Sequence, residues 1–275
     1  MTGQPGLRPP LNAPPPPGLR AAMAAVLPDV LTLKYGPIAE QGWGPRLRAS
    51  YDHATPDDWY EASLYTLVTP ETRWLDVGCG RSLFASNPQT SRLLADRCKH
   101  LVGVDPDDNI DDNPFVHERV KLPIEQYRPD QLFDLVSMRM VAEHIADPPG
   151  ALATLSRLVA PGGCVVVYTV SQRSPAALVA AVTPMAFHHF IKRILWGGEE
   201  RDTFPTVYRM NTRANLTNVF QDYGFAEEHY LLLADCRITN RFPLLNRIEL
   251  ACERGLRRIG LPYPESCILA VYRKA

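Results

Sequence analysis

Short, mostly apolar runs at 74–77, 101–104, 132–138 and 164–169 alternate with helical stretches near 90–97 and 150–159. Strands that are apolar on both faces and separated by helices predict an α/β fold, a parallel sheet with helices on both sides. Two later runs, 228–233 and 267–272, predict an antiparallel pair that closes the sheet. The alternation stops after Thr169. Residues 170–213 carry Pro175, Pro184, Gly197, Gly198 and Pro205 among apolar helical pieces, which predicts a helical insertion over the sheet edge, a lid. Upstream, 19–70 predicts helices broken at Pro28, Gly36-Pro37 and Gly44-Pro45, with Tyr35, Trp43, Tyr51, Trp59 and Tyr60 packed on a core. Within it, Thr55 followed by Pro56, Asp57 and Asp58 has the chemistry of a helix start. Seven of the first twenty residues are Pro, which predicts a disordered tail over 1–18. One domain is expected over 19–275: a helical cover (19–70), a sheet core (71–169), the insertion (170–213) and C-terminal strands with a helix (214–275).

Composition narrows the partners. With 275 residues the chain can bury about three quarters of its unfolded surface, so a single large domain needs no staple. Lys plus Arg number 29 against 30 for Asp plus Glu, a net charge of −1. No bulk basic field is available, so the expected partner is a small molecule, with no nucleic acid and no membrane. The six cysteines are each at least 15 positions from the next, which excludes close metal or redox pairs and predicts reduced thiols. The apolar run at 21–27 is far too short to cross a bilayer and no cleavage pattern follows it, so a cytoplasmic protein is expected.

The strongest local signal is an apolar strand that runs through Asp76 into Gly78-Cys79-Gly80. Glycines in such a turn let the backbone approach a ligand closely. A dinucleotide fingerprint needs a third small residue where this chain has Leu83, and Asp76 would repel a pyrophosphate. The same carboxylate suits a ligand with an ammonium and a sulfonium, S-adenosylmethionine. Asp105 ends the next strand 25 residues beyond Gly80, where a carboxylate can accept ribose hydroxyls.

Five blocks together carry a resemblance: Leu-Asp-Val-Gly-Cys-Gly at 75–80, Val-Gly-Val-Asp at 102–105, Phe-Asp-Leu-Val at 133–136, Glu-His at 143–144 and Leu-Val-Ala-Pro-Gly-Gly at 158–163. In order and spacing they resemble the class I S-adenosylmethionine-dependent methyltransferases, nearest the branch of the ubiquinone-biosynthesis O-methyltransferases. The resemblance covers 73–169 well and 216–233 loosely. It implies a Rossmann-like, seven-stranded, mostly parallel sheet whose last two strands are antiparallel, and a single methyltransferase domain with a cofactor-binding core at 71–169. It further implies that Gly78 and Gly80 cradle the methionine part beside Asp76, and that Asp105 takes the ribose. The segment holding Ile124 and Glu125 brackets adenine, and Met138 and Arg139 face the methionine and the sulfonium. Two departures, Ser82 where a third glycine is common and extra loop residues at 83–89, predict an altered methionine pocket.

The remaining candidates concern the acceptor. Tyr51 is expected to cover the methionine end, because the segment before the first strand must fold over the cofactor. The expected reaction is in-line methyl transfer to an oxygen or nitrogen of a small molecule, with a protein-modifying enzyme and a noncatalytic cofactor-binding protein as rivals. Candidate bases are His144, His188 and His189, since a neutral imidazole is a competent base near pH 7. Some relatives hold a divalent ion with a Glu-His pair and a nearby acid. Here that acid is Met140, a soft thioether, so no metal is expected. Glu143 reads as a helix-start residue satisfied by backbone groups, and Arg209 and Arg213 as either surface ion-pair residues or anchors for an acceptor carboxylate.

Overall fold

The computed structural model describes residues 18–172, 174, 206–237, 239–264 and 266–275. The chain begins with α1 (Leu19–Tyr35), α2 (Trp43–Ser50) and α3 (Pro56–Leu67), then β1 (Arg73–Val77), α4 (Pro88–Arg97), β2 (His100–Val104), β3 (Glu118–Val120) and β4 (Phe133–Arg139). It continues with α5 (Pro148–Leu158), β5 (Val159–Val170), α6 (Arg213–Asp222), β6 (Phe225–Ala234), α7 (Pro243–Arg258) and β7 (Ser266–Lys274).

The seven strands form one sheet in the order β3-β2-β1-β4-β5-β7-β6. Parallel pairing links β3 through β5, while β7 is antiparallel to both β5 and β6. Of the two last strands, therefore, only β7 runs against the sheet. Alternation along each strand sends side chains to two cores. Trp74, Leu101, Leu135, Val166 and Tyr168 pack with residues of α1, α3 and α4. Leu75, Val102, Val136, Val165 and Val167 pack with residues of α5 and α6 on the other face.

Local chemistry explains where the elements begin. Thr55 and Asp58 make a reciprocal capping box: the Asp58 N–H donates to Thr55 Oγ1 at 3.3 Å and the Thr55 N–H to Asp58 Oδ2 at 2.8 Å. Asn87 caps α4 by accepting from the Thr90 N–H at 3.1 Å. The break expected at Pro28 does not occur, because α1 runs through it. Pro28 removes one backbone donor, but Met23 and Val30, fully buried on either side, hold the helix to the core. Gly44-Pro45 likewise falls in the first turn of α2, where a proline is tolerated, and only Gly36 ends a helix. Among the described residues no helix is long and apolar enough to cross a membrane.

Candidate functional site

The strand order reverses between β1 and β4, and the crevice at such a switch point is where open α/β sheets receive ligands. The loops after β1, β2 and β4 meet there. Gly78 and Gly80 both take positive φ, 68° and 46°. A Cβ at Gly78 would lie 2.2 Å from Val141 Cγ2, so the turn after β1 nests directly against the segment after β4. The Gly78 N–H donates to the Val104 carbonyl at 2.7 Å, tying this turn to the end of β2.

Asp105 closes the same turn. Its Oδ2 accepts from the Gly80 N–H and its Oδ1 from the Asp107 N–H, both at 2.9 Å. Each oxygen keeps a lone pair for a further donor. Asn113, fully buried and absent from the sequence-based candidates, donates to the carbonyls of Cys79 at 3.2 Å and Gly80 at 3.0 Å. It fixes the turn from a position 33 residues away.

Asp76 stands under the turn. It is 5% exposed, and the Ser137 hydroxyl donates to it at 2.5 Å while the Trp74 indole N–H donates to that hydroxyl at 2.6 Å. Burial pushes its carboxyl up to about 7, against the opposing effects of Ser137 and Arg139. From sequence Asp76 is expected to carry a fixed negative charge, whereas burial in this fold favours its protonated form far more than in a free aspartate. Tyr60, fully buried, stacks on Tyr168 with ring centroids 5.2 Å apart. Burial, and next the charge of Asp76, raise its hydroxyl well above the ordinary tyrosine value.

Met138 and Arg139 point to opposite faces. The Met138 side chain is buried in the core on the α5 side, so it does not project into the cleft as expected. Arg139 lies on the α3 side, 3.8 Å from Asp57 Oδ1. Asp57 is also bound by Arg237, which in turn grips Asp235 at 2.6 and 2.7 Å. Burial alone would raise the Asp57 carboxyl, but Arg237 and Arg139 outweigh it and hold the group below its usual range. Ile124 is buried and Glu125 half-buried in a short 3-10 turn, Ile124–Gln126, beyond β3. Tyr51 is half-buried at the end of α2, and its carbonyl accepts from the Arg257 guanidinium of α7 at 3.0 Å.

After β4 the backbone passes through Met140, a non-glycine residue at φ 55°, whose N–H donates to the Tyr168 carbonyl at 2.8 Å. Such strain clusters at functional sites. It leads into a 3-10 turn, Ala142–His144. The Glu143 carboxylate accepts from the Thr169 hydroxyl at 2.7 Å, and Asn211 donates to the same hydroxyl at 2.8 Å. Glu143 is thus held by a side chain of β5 in addition to the backbone N–H expected for it, and burial of the inward-turned carboxylate raises its pKa. Its own carbonyl receives the N–H groups of Val207 and Tyr208 at 2.8 and 3.2 Å. His144 is half-buried beside it. Arg213 is engaged by Glu227 on β6, and Arg209 donates to the Ala146 carbonyl. His188, His189 and residues 173 and 175–205 of the expected lid lie outside the described residues. Among the described residues no group of three or more His, Cys, Asp or Glu side chains is placed to hold a metal ion.

A family model described as a methyltransferase domain matches residues 46–230. The chain belongs to that family. Two curated relatives are named ubiquinone biosynthesis O-methyltransferase. The one from Aeromonas salmonicida is 27% identical over 158 residues, 52% of this chain and 62% of the relative. The one from Rhodopseudomonas palustris is 33% identical over 142 residues, 49% of this chain and 52% of the relative. This methyltransferase-family chain therefore matches only about half to three fifths of those relatives' length. A solved S-adenosylmethionine-dependent methyltransferase from Mesorhizobium loti shares the fold, with a TM-score of 0.50 and 19% identity over 82% of this chain and all of that one.

Proposed function

We propose that this chain transfers the methyl group of S-adenosylmethionine to an oxygen of a small-molecule acceptor. The observation that carries the reading is the pair of carboxylates around one glycine turn: Asp105 with lone pairs to spare, and Asp76 buried with its carboxyl pushed up to about 7. A buried carboxyl in that state gains from a cationic partner. The turn offers the space, since Gly80 has nothing within 4 Å of where a Cβ would stand. S-adenosylmethionine supplies an electrophilic methyl on a sulfonium and an ammonium for Asp76.

The protein's part is alignment. Gly78 and Gly80 admit the methionine portion, Asp105 accepts the ribose hydroxyls, and the turn holding Ile124 and Glu125 borders the adenine. Ser137 and Trp74 fix the Asp76 carboxylate, and Arg139, paired with Asp57, acts electrostatically on Asp76. Holding the acceptor oxygen in line with the methyl group supplies on the order of 7–11 kcal/mol of the barrier reduction. His144 stands at the end of the strained segment after β4 and takes the acceptor proton where the acceptor arrives protonated.

Titration calorimetry with S-adenosylmethionine, S-adenosylhomocysteine and NAD, followed by mass spectrometry of methyl transfer to a metabolite pool, tests the reading. Tight binding of NAD overturns the cofactor assignment. Cofactor binding without transfer leaves a binding protein, and a methylated polypeptide in place of a metabolite overturns the acceptor class.

A further inference from the structure

The helix α7 lies between β6 and β7 at the end of the sheet where the parallel strands finish, since β6 ends and β7 begins beside the last residue pairs of β5. Its inner side carries Asn246, Glu249, Leu250 and Glu253, all buried. Among the described residues its outer side is apolar and uncovered: Leu244 is 71% exposed, Ile248 54% and Ile259, just past the helix, 69%. Phe242, Leu245 and Leu261 extend this surface at both ends. Scattered exposed apolar residues are ordinary, but contiguous ones mark interaction surfaces.

Charge on the helix is sorted as well. At 100° per residue, Leu244, Leu245, Ile248, Cys252 and Ile259 fall in an arc of about 100°, while Arg247, Arg254 and Arg258 stack in about 40° along one flank of it. Both acids of the helix, Glu249 and Glu253, are buried. Glu249 accepts from Thr239, Asn246 and Tyr263, and Glu253 pairs with Arg257. Arg254 reaches Asp52 at 3.5 Å across the seam with α2. A net charge near zero for the whole chain conceals this local row.

We propose that the outer face of α7 docks on an anionic lipid bilayer, lying in the interface plane with its apolar arc inserted and its arginine row against the headgroups. An amphipathic helix with an apolar face and arginines beside it is the form that binds such surfaces. A second copy of this chain is a poorer occupant. Two such faces brought together set arginine rows against apolar faces or against each other, and the helix has no exposed acid to meet them.

Co-sedimentation of the full chain with vesicles tests the proposal, using phosphatidylglycerol mixed into phosphatidylcholine and phosphatidylcholine alone. The expected result is binding to the anionic vesicles that weakens with salt. Loss is expected to be near complete in Leu244→Ser/Ile248→Ser and about 25-fold in Arg247→Gln/Arg258→Gln, at about fivefold per arginine. All four side chains are exposed, so thermal unfolding and S-adenosylhomocysteine affinity should stay at the parent values. No binding, or binding that these variants leave unchanged, overturns the proposal. A dimer seen by light scattering that Leu244→Ser/Ile248→Ser dissolves also overturns it, assigning the face to a second copy.

Discussion

Asp76 gives the cofactor reading its sharpest quantitative consequence. Burial raises its carboxyl to about 7, and Ser137 and Arg139 hold it from rising further. A carboxyl whose folded pKa is raised contributes stability present below its unfolded value near 4, and that contribution is lost as pH rises through 7. A ligand ammonium placed beside it favours the charged form and returns what was lost. Binding therefore requires deprotonation, and affinity should fall as pH drops below 7. At pH 6 about one carboxyl in eleven is ionised and at pH 8 about ten in eleven, a tenfold difference in affinity or ~1.4 kcal/mol.

The assay is calorimetric titration with S-adenosylhomocysteine at pH 6, 7 and 8, in buffers of different ionisation heat. About 0.9 proton should leave per ligand bound at pH 6 and about 0.5 at pH 7. The ligand's own amine titrates above this range, and Asp76→Asn separates the two: it should bind more weakly and lose the slope between pH 6 and 8. Constant affinity across these three pH values with no proton released would refute the reasoning, as would an Asp76→Asn protein that keeps the slope.

Four further outcomes follow from the same geometry. Asp105→Ala should weaken cofactor binding by roughly 1–3 kcal/mol, through ribose hydroxyls and a Gly80 N–H left without an acceptor, and calorimetry reads it directly. Gly78→Ala should abolish cofactor binding and lower the melting temperature, because the new methyl meets Val141 Cγ2 at 2.2 Å and the φ of 68° disfavours any side chain, whereas Gly80→Ala meets no neighbouring atom and should cost less. Ser137→Ala strands the buried Trp74 indole N–H and removes a donor from Asp76, so it should cost roughly 1–3 kcal/mol in chemical unfolding and shift the pH dependence of cofactor binding upward. Once a methyl acceptor is in hand, His144→Gln should reduce the rate by about 10²–10⁴-fold if the imidazole takes the proton, and activity should survive EDTA; loss restored by Mg²⁺ would contradict the argument from Met140.

What the sequence made legible was whatever the backbone dictates locally. The run from Arg73 to Gly80 declares a buried strand and a tight turn within eight residues, and the capping box at Thr55 needs only Asp58 to complete it. The strand β3 escaped because Glu118–Val120 is three residues long, with two of them exposed, so no apolar run announces it. Its place is set by pairing with β2. A helix is expected within 214–275, but the bounds of α7 were not legible for a related reason: most of its apolar positions face outward, so they do not read as a core stripe, and its buried side is built from Asn246, Glu249 and Glu253 around Leu250. At the site the same division holds. Gly78, Gly80, Asp76 and Asp105 sit at strand ends, where spacing along the chain places them. Asn113, Ser137 and Arg237 act through what they reach across the fold, and a polar residue carries no signal of its partner. Asp76 combines both cases. Its position was readable, but its charge was not, because an isolated aspartate is an anion at pH 7 and only burial under the turn brings its two forms into balance.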